Sequence, residues 1–353
     1  MRGEAGPRAW GTRALLLALG LAGGAPGCAQ PRPLANVPLE LQGTAPEQPV
    51  TLLPLGGPLQ SPKAEISGLA WYGEHLILLP QYPDWKRDGA PCLYTLPKAE
   101  ILARLEHTAD GPLEPRCIPF DSGGLQDEVP GFEGYEAIGF AGDQAYLTVE
   151  THPRTGAGLL VTGRIAPDLS GLRLEASPRA ALPLPAEISN AGFEALVVGE
   201  ERVLALYEGN GARVNPAPAA EDFNRALTRV MKRSLPAIEY RLTDATSLDA
   251  AGRFWVINYN FPGSQSAYKP AADPLMARYG TGPTHARRPQ VERLLELQVT
   301  PTGIELTPRP PLQLQLSDEG PRNWEGLVRL DDRGFLLVTD TFPRTLLGFV
   351  PAP

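Results

Sequence analysis

The sequence predicts an all-β fold, a five-bladed β-propeller with six blades as the alternative. Three observations predict it: a short motif recurs, a strand–turn–strand pattern follows each copy, and the composition is rich in turn formers. The motif runs large or apolar, polar, small, aliphatic. Its copies are Ile66-Ser67-Gly68-Leu69, Tyr135-Glu136-Ala137-Ile138, Phe193-Glu194-Ala195-Leu196, Ala245-Thr246-Ser247-Leu248 and Trp324-Glu325-Gly326-Leu327. Turn residues follow each copy, such as Gly73-Glu74 and Gly142-Asp143, and then a dense apolar run, such as Leu76 to Leu79 and Ala145 to Val149. Successive copies lie 69, 58, 52 and 79 residues apart. A minimal blade needs roughly 40–50 residues, so each unit carries loop insertions. With 37 Gly and 39 Pro but only 20% charged residues, the chain is a turn-rich folded protein rather than a helical bundle or a disordered chain.

The leader comes first. Arg2, Arg8 and Arg13 precede the apolar stretch Ala14 to Ala22, with small residues to Gly27. Residues 1–27 therefore read as a signal peptide, too short to span a bilayer as a helix. Cys28 follows Ala25-Pro26-Gly27, a segment that resembles the bacterial lipobox and implies lipid attachment at Cys28. Residues 28–49 read as a Pro-rich tether, and 50–353 as the propeller domain. The expected location is the bacterial cell envelope, on the periplasmic side or at the outer membrane, and otherwise outside the cell. Loss of the leader removes three Arg and one Glu, taking the formal charge from −8 to −10. So acidic a body excludes nucleic acid as a main partner and leaves the membrane reached only through the anchor. A monomer is expected.

Two cysteines remain, Cys92 and Cys117, each in a short strand-like run. They are expected to form a disulfide across neighbouring strands, which an exported compartment permits, with buried free thiols as the alternative. Closing that loop stabilises by about 3 kcal/mol on the chain-entropy estimate.

Outer strands are expected at Arg116 to Phe120, Ala180 to Leu184, Ile238 to Leu242 and Leu312 to Leu316. The last unit runs out of chain after Thr345 to Val350, so Val50 to Leu55 is expected to complete it and close the ring. Two segments interrupt the repeat. The first carries Phe223, Leu227, Val230 and Met231 at helical spacing and is expected to form an amphipathic lid helix. The second, Pro262 to about Pro289, holds Tyr268, Lys269 and Tyr279. Long loops on one face of a rigid scaffold are where ligand contacts are usually built.

In a propeller the first strand of each blade lines the axis. The motif therefore places Ser67, Glu136, Glu194, Thr246 and Glu325 around it. The ends of the second strands add Gln81, Glu150, Glu208, Asn258 or Asn260, and Asp340 on the same face. Carboxylates a few ångströms apart repel by several kcal/mol at an effective dielectric near 20. A Ca²⁺ ion, which takes oxygen ligands, is the candidate counter-charge, with Glu136, Glu194, Glu325, Glu150, Glu208 and Asp340 as ligands. The alternative is that these acids staple the blades, protonated or paired to Arg. Zinc is disfavoured, because His75, His107, His152 and His285 show no paired spacing. Arg154 and Arg344 recur in Pro-Arg-Thr after the second strands of two units, and Lys86 and Arg87 lie on the matching loop of the first. Such forks suit phosphate or carboxylate.

The Glu-Gly-Leu-type motifs, with an aromatic before the Glu and a β run ending in an acid, resemble the phytase-like family of β-propellers. Gluconolactonase-type propellers, which hold a divalent metal at the axis, are a more distant resemblance. The first resemblance implies a Ca²⁺-dependent phosphoester hydrolase with Glu136, Glu194, Glu325, Arg154 and Arg344 at the catalytic mouth. A non-catalytic envelope-binding or scaffold lipoprotein is the alternative, and a metal-dependent lactonase the second. No G-x-S-x-G elbow, P-loop or H-E-x-x-H motif occurs, which argues against serine esterase, nucleotide-driven and zinc-protease chemistry.

Overall fold

The computed structural model describes residues 44–61, 63–86 and 89–353. The expected signal peptide, Cys28, the tether as far as residue 43, and Arg87 lie outside the described residues. The chain is all-β, with curled and nearly closed sheets, consistent with a β-propeller.

Two short strands, β1 (Glu47–Gln48) and β2 (Thr51–Leu53), come first. Successive antiparallel meanders follow. β3 (Ile66–Tyr72), β4 (His75–Pro80), β5 (Cys92–Pro97) and β6 (Arg116–Asp121) form one. β7 (Phe132–Ala141), β8 (Gln144–Thr151), β9 (Ala157–Ile165) and β10 (Leu172–Pro183) form the next. Then come β11 (Ala195–Val198), β12 (Arg202–Leu206), β13 (Ala219–Asn224) and β14 (Arg229–Ser234). β15 (Arg241–Ala245), β16 (Arg253–Asn260), β17 (Val291–Thr300) and β18 (Gly303–Leu306) follow, with β19 (Leu312–Leu314) also on β17. Last are β20 (Trp324–Leu330), β21 (Gly334–Thr339) and β22 (Leu347–Pro351). β2 pairs antiparallel with β22, so the N-terminal strand completes the last meander. Helices are short: α1 (Lys98–Leu105), α2 (Leu125–Glu128), α3 (Gln265–Tyr268) and α4 (Pro274–Tyr279).

The first strand of each meander packs on the next: β3 on β7, β7 on β11, β11 on β15, β15 on β20, and β20 back on β3. This crowding explains the small residue of the motif. A Cβ on Gly68 would lie 3.2 Å from the Glu136 carbonyl oxygen, and one on Gly326 would lie 2.7 Å from Leu69 Cγ. The polar residue before it is explained by a β-bulge, since the register slips between Ile66 and Gly68, Tyr135 and Ile138, and Trp324 and Gly326. A bulge re-aims a side chain out of the ladder. Between the meanders lie dry layers such as Ile77, Leu79, Ile138, Leu147 and Val161.

Four sequence expectations change. In the fourth unit the bulge falls between Leu242 and Ala245, so the motif there is Leu242-Thr243-Asp244-Ala245. Thr246 lies three residues past Thr243, just after the motif. Two overlapping Thr-containing tetrads compete at this point, and the one carrying a charge at the small position is the one that folds. Ile238 to Leu242 is accordingly not an outer strand, because β15 begins at Arg241 and β14 is the outer strand of the third unit. The expected lid helix is the β13–β14 hairpin. Asn224 Oδ1 accepts from the N–H groups of Ala226 and Thr228 and fixes its turn. Phe223 is buried there, while Val230 is 60% exposed. Finally, the folded body starts by Thr44 rather than at residue 50. β1 pairs with β19, and the Glu47 carboxylate accepts from Thr284 N–H at 2.9 Å and Thr284 Oγ1 at 2.8 Å, and meets His285 Nδ1 at 2.8 Å. Those partners hold the Glu47 carboxyl below its ordinary pKa against the opposing effect of burial. A polar, Pro-rich composition gives no sign of such an anchor.

Cys92 on β5 and Cys117 on β6 are bonded, their Cα atoms 5.4 Å apart and 25 residues apart in sequence. By the loop-closure argument the double variant Cys92→Ala/Cys117→Ala is expected to lose about 3 kcal/mol of unfolding free energy. Urea denaturation, with reduced wild type as the control, measures it. An unchanged midpoint would show that the bond contributes nothing.

Candidate functional site

The bulges and strand ends bring all six expected carboxylates together. Glu136 and Glu325 sit on β7 and β20, Glu194 just before β11, and Glu150 on β8, with Glu208 and Asp340 just past β12 and β21. All but Asp340 are buried. At their centre lies Arg241, the first residue of β15. Its Nη2 donates to Glu194 at 3.1 and 3.2 Å and to Glu325 Oε1 at 3.2 Å, and its Nε donates to Glu208. Its Nη1 reaches Asn323 Oδ1 at 3.3 Å, and Tyr259 lies against the guanidinium.

The remaining acids find neutral donors or each other. Asn323 Nδ2 donates to Glu325 Oε1 at 2.6 Å and to Asp340 Oδ2 at 3.4 Å. Gln81 Nε2 donates to Glu136 Oε1 at 2.8 Å. Glu136 and Glu150 lie on the paired strands β7 and β8, near enough for each to perturb the other's ionisation, so that a proton on one eases the burial of charge on the other. Burial, then the charges of Glu150 and Glu325, hold Glu136 well above the usual carboxylate range. Burial and the Glu208 charge push Glu150 up to about 7. Burial and Asp340 push Glu325 up to about 8 against the pull of Arg241. Burial likewise raises Glu194 and Asp340. Solvent reaches the cluster at a narrow point, where the side chains of Arg241 and Glu325 are each 11% exposed.

The units without an axial Glu staple the ring instead. Ser67 Oγ donates to the Tyr135 carbonyl at 2.6 Å, and Thr243 Oγ1 to the Trp324 carbonyl at 2.6 Å, each reaching the following first strand. Asp244 accepts from the N–H groups of Ala245 at 2.7 Å and Leu327 at 2.6 Å. Burial still holds its pKa well above normal. The second insertion covers the cluster: Tyr268 of α3 is buried beside Glu208 and Arg241, packed with Phe193 and Tyr207.

Some expected residues stay away. Arg154 and Arg344 are exposed on their loops and are not partners of the cluster. Both lie past the second strand, where the Pro-Arg-Thr turn leads outward. Lys86 lies over the rings of Trp85 and Tyr94. Asn258 donates to the carbonyls of Glu239 and Arg241, and Asn260 to that of Pro289, so both hold loops. Thr246 accepts from the Trp255 N–H. Among the described residues no group of three or more His, Cys, Asp or Glu is arranged to hold a metal ion. The guanidinium takes the place a Ca²⁺ would need, and a dication there would face a like charge. This donor set does not fit the ion.

Two predictions follow from this balance. A carboxyl whose pKa is higher folded than unfolded binds its proton more tightly in the folded state, so its contribution is full below the unfolded value and declines as pH rises through the folded one. From Glu150 and Glu325 we expect the melting temperature to fall between about pH 5 and about pH 8. The fall should shrink in Glu150→Gln and Glu325→Gln, and a flat wild-type profile would contradict the buried charges. Arg241→Met leaves three buried acids uncompensated and is expected to cost about 3–5 kcal/mol in chemical denaturation near neutral pH, with part of the loss recovered on adding Glu194→Gln.

No family model and no curated protein matches the chain. Among solved structures it is similar to a glutaminyl cyclase from Myxococcus xanthus, at 11% identity over 88% of this chain and 99% of that one, with a TM-score of 0.43. A glucose dehydrogenase is similar at 14% identity over 86% and 99%, with a TM-score of 0.41. A luciferin-regenerating enzyme is similar at 9% identity over 82% and 92%, with a TM-score of 0.40. Likenesses this remote carry no argument about what this chain does.

Proposed function

We propose that the ring is a five-bladed β-propeller whose axial cluster is a metal-independent acid–base site, hydrolysing a neutral or cationic small molecule such as a lactone. The observation that carries this reading is the placing of two buried acids, Glu136 and Glu150, on paired strands beside the Arg241 cluster, with Gln81 Nε2 on Glu136 at 2.8 Å. The Glu150 carboxylate takes a proton from water as its oxygen attacks the acyl carbon, and a neighbouring carboxyl, Glu136 or Glu325, gives a proton to the leaving oxygen. Raised pKa values keep Glu136 and Glu325 protonated near neutral pH, while Glu150, pushed up to about 7, is divided between its two forms. A phosphoester suits the site less well: six acids face one arginine, and neither Arg154 nor Arg344 joins them.

The test is turnover of a panel of lactones and small esters with a chelator present. Glu150→Gln is expected to lower the rate by at least about a hundredfold, the usual contribution of a positioned acid or base, while the protein stays folded. Added Ca²⁺ is expected to change neither turnover nor melting temperature. No turnover across the panel, or turnover that survives Glu150→Gln, overturns the reading.

The pairing of Arg241 and the stapling by Asp244 favour a second reading, a non-catalytic envelope protein whose axial acids only hold the ring. There Glu150→Gln alters melting behaviour alone. Export and lipid attachment at Cys28 are also part of the proposal, supported by the leader pattern and by a disulfide suited to an oxidising compartment. The intact mass of the mature protein from a bacterial host checks the anchor.

A further inference from the structure

Beside the mouth, on the first and second meanders, lies a cavity of about 190 Å³ that the axial chemistry does not use. Its walls are aromatic: Tyr82, Phe120, Phe132 and Tyr135. Each ring meets the next at a steep angle. The centroids of Phe120 and Tyr135 are 5.3 Å apart at 82°, those of Phe132 and Tyr135 5.2 Å at 72°, and those of Tyr82 and Phe132 6.4 Å at 68°. The rings thus pack edge to face along the cavity, and aromatic faces carry negative potential.

The polar groups of the cavity point the same way. Ser122 and Gln126 are hydrogen-bonded to each other at 2.6 Å and offer little to a ligand. Asp84 is exposed at the rim. Nearby cations are engaged: Arg179 pairs with Glu128 at 2.8 Å, and Lys86 lies over Trp85 and Tyr94. Burial and then the charges of Glu136, Glu65, Glu150 and Glu133 push the Tyr82 phenol up to about 12, so negative potential extends into this wall. Tyr135 is 1% exposed, and its hydroxyl makes no hydrogen bond of good geometry, with the Ser122 side chain beside it. A ligand oxygen that accepts from this hydroxyl would satisfy a buried donor that the protein pairs poorly.

We propose that this cavity binds a small organic ammonium ion carrying a hydroxyl or carbonyl oxygen. The aromatic walls hold the cation, Asp84 balances its charge, and the Tyr135 hydroxyl donates to the oxygen. The volume is below the roughly 300–1,000 Å³ of sites for drug-sized ligands, which limits the occupant to a few carbon atoms. This site does not rest on the axial cluster being catalytic.

Calorimetric titration of the full chain with choline, and with its uncharged isostere 3,3-dimethylbutan-1-ol, tests it. Choline is expected to bind at least about tenfold more tightly than the isostere, as a desolvated cation–π contact allows. Asp84→Asn and Phe132→Leu are each expected to weaken choline severalfold. Since Asp84 is exposed, its variant should keep the wild-type melting temperature and so guards against misfolding. Glu150→Gln should weaken choline less than Asp84→Asn does while abolishing axial turnover, which separates this site from the axial one. Absence of choline binding at millimolar concentration, equal binding of the isostere, or preferential binding of glucose would overturn the proposal.

Discussion

The structure depends on one buried cation. Unit charges about 4 Å apart interact by about 4 kcal/mol at an effective dielectric of 20, so six acids at one mouth would drive the strands apart if all were ionised and unpaired. Arg241 answers three of them, Glu194, Glu208 and Glu325, from a single guanidinium. A planar fork can serve several carboxylates at fixed angles where an ammonium could not. One of the two meanders without an axial Glu supplies it, since Thr243 stands where Glu136, Glu194 and Glu325 stand in others. The first meander, with Ser67 and Gln81, contributes neutral donors. The ring thus divides its labour between units that bring negative charge and units that answer it.

That division also explains how the first strands lie so close. Crowding at the axis admits only a small residue after the bulge, yet the fourth unit places Asp244 there. Its oxygens take the N–H groups of Ala245 and Leu327, which face the axis and need acceptors there. Burial opposes ionisation of this carboxyl while the backbone donors favour it. A polar staple therefore serves where an apolar residue would leave main-chain donors unmet. Ser67 and Thr243 do the complementary work, giving hydroxyl protons to carbonyls of the neighbouring strand.

What could be read in advance follows from what repeats. Glu136, Glu194 and Glu325 share a motif, and Glu150, Glu208 and Asp340 share a position at strand ends, so their convergence was legible from spacing. The closing strand and the cysteine pair were legible too, because an incomplete last unit and two strand-borne thiols each demand a partner. Arg241 repeats nowhere, and no local pattern marks it. Its only sign was the charge excess itself, which calls for a cation without saying which. The frame of the fourth motif is hidden because Ala245-Thr246-Ser247-Leu248 fits the pattern of a small third residue, whereas Asp244 does not. Phe223, Leu227, Val230 and Met231 were misread because a hairpin with a tight turn can mimic helical spacing over so short a span. Glu47 was hidden by its polar surroundings, since its partners lie more than two hundred residues away.

The sign of the field constrains function more firmly than any motif. An expectation built on arginines and phosphate requires positive charge at the mouth, whereas six axial acids face the single Arg241. An anion entering the mouth would find the one guanidinium already engaged by Glu194, Glu208 and Glu325. A cation meets the reverse: its charge favours ionisation of Glu150 and Glu325, whose raised pKa values place releasable protons near neutral pH. Binding and proton release are then linked, and linkage runs both ways. A cationic ligand lowers the proton affinity of the acids, and loss of those protons strengthens its binding. Arg241 sets the scale of this exchange, because each carboxylate it holds ionised is one fewer proton to release.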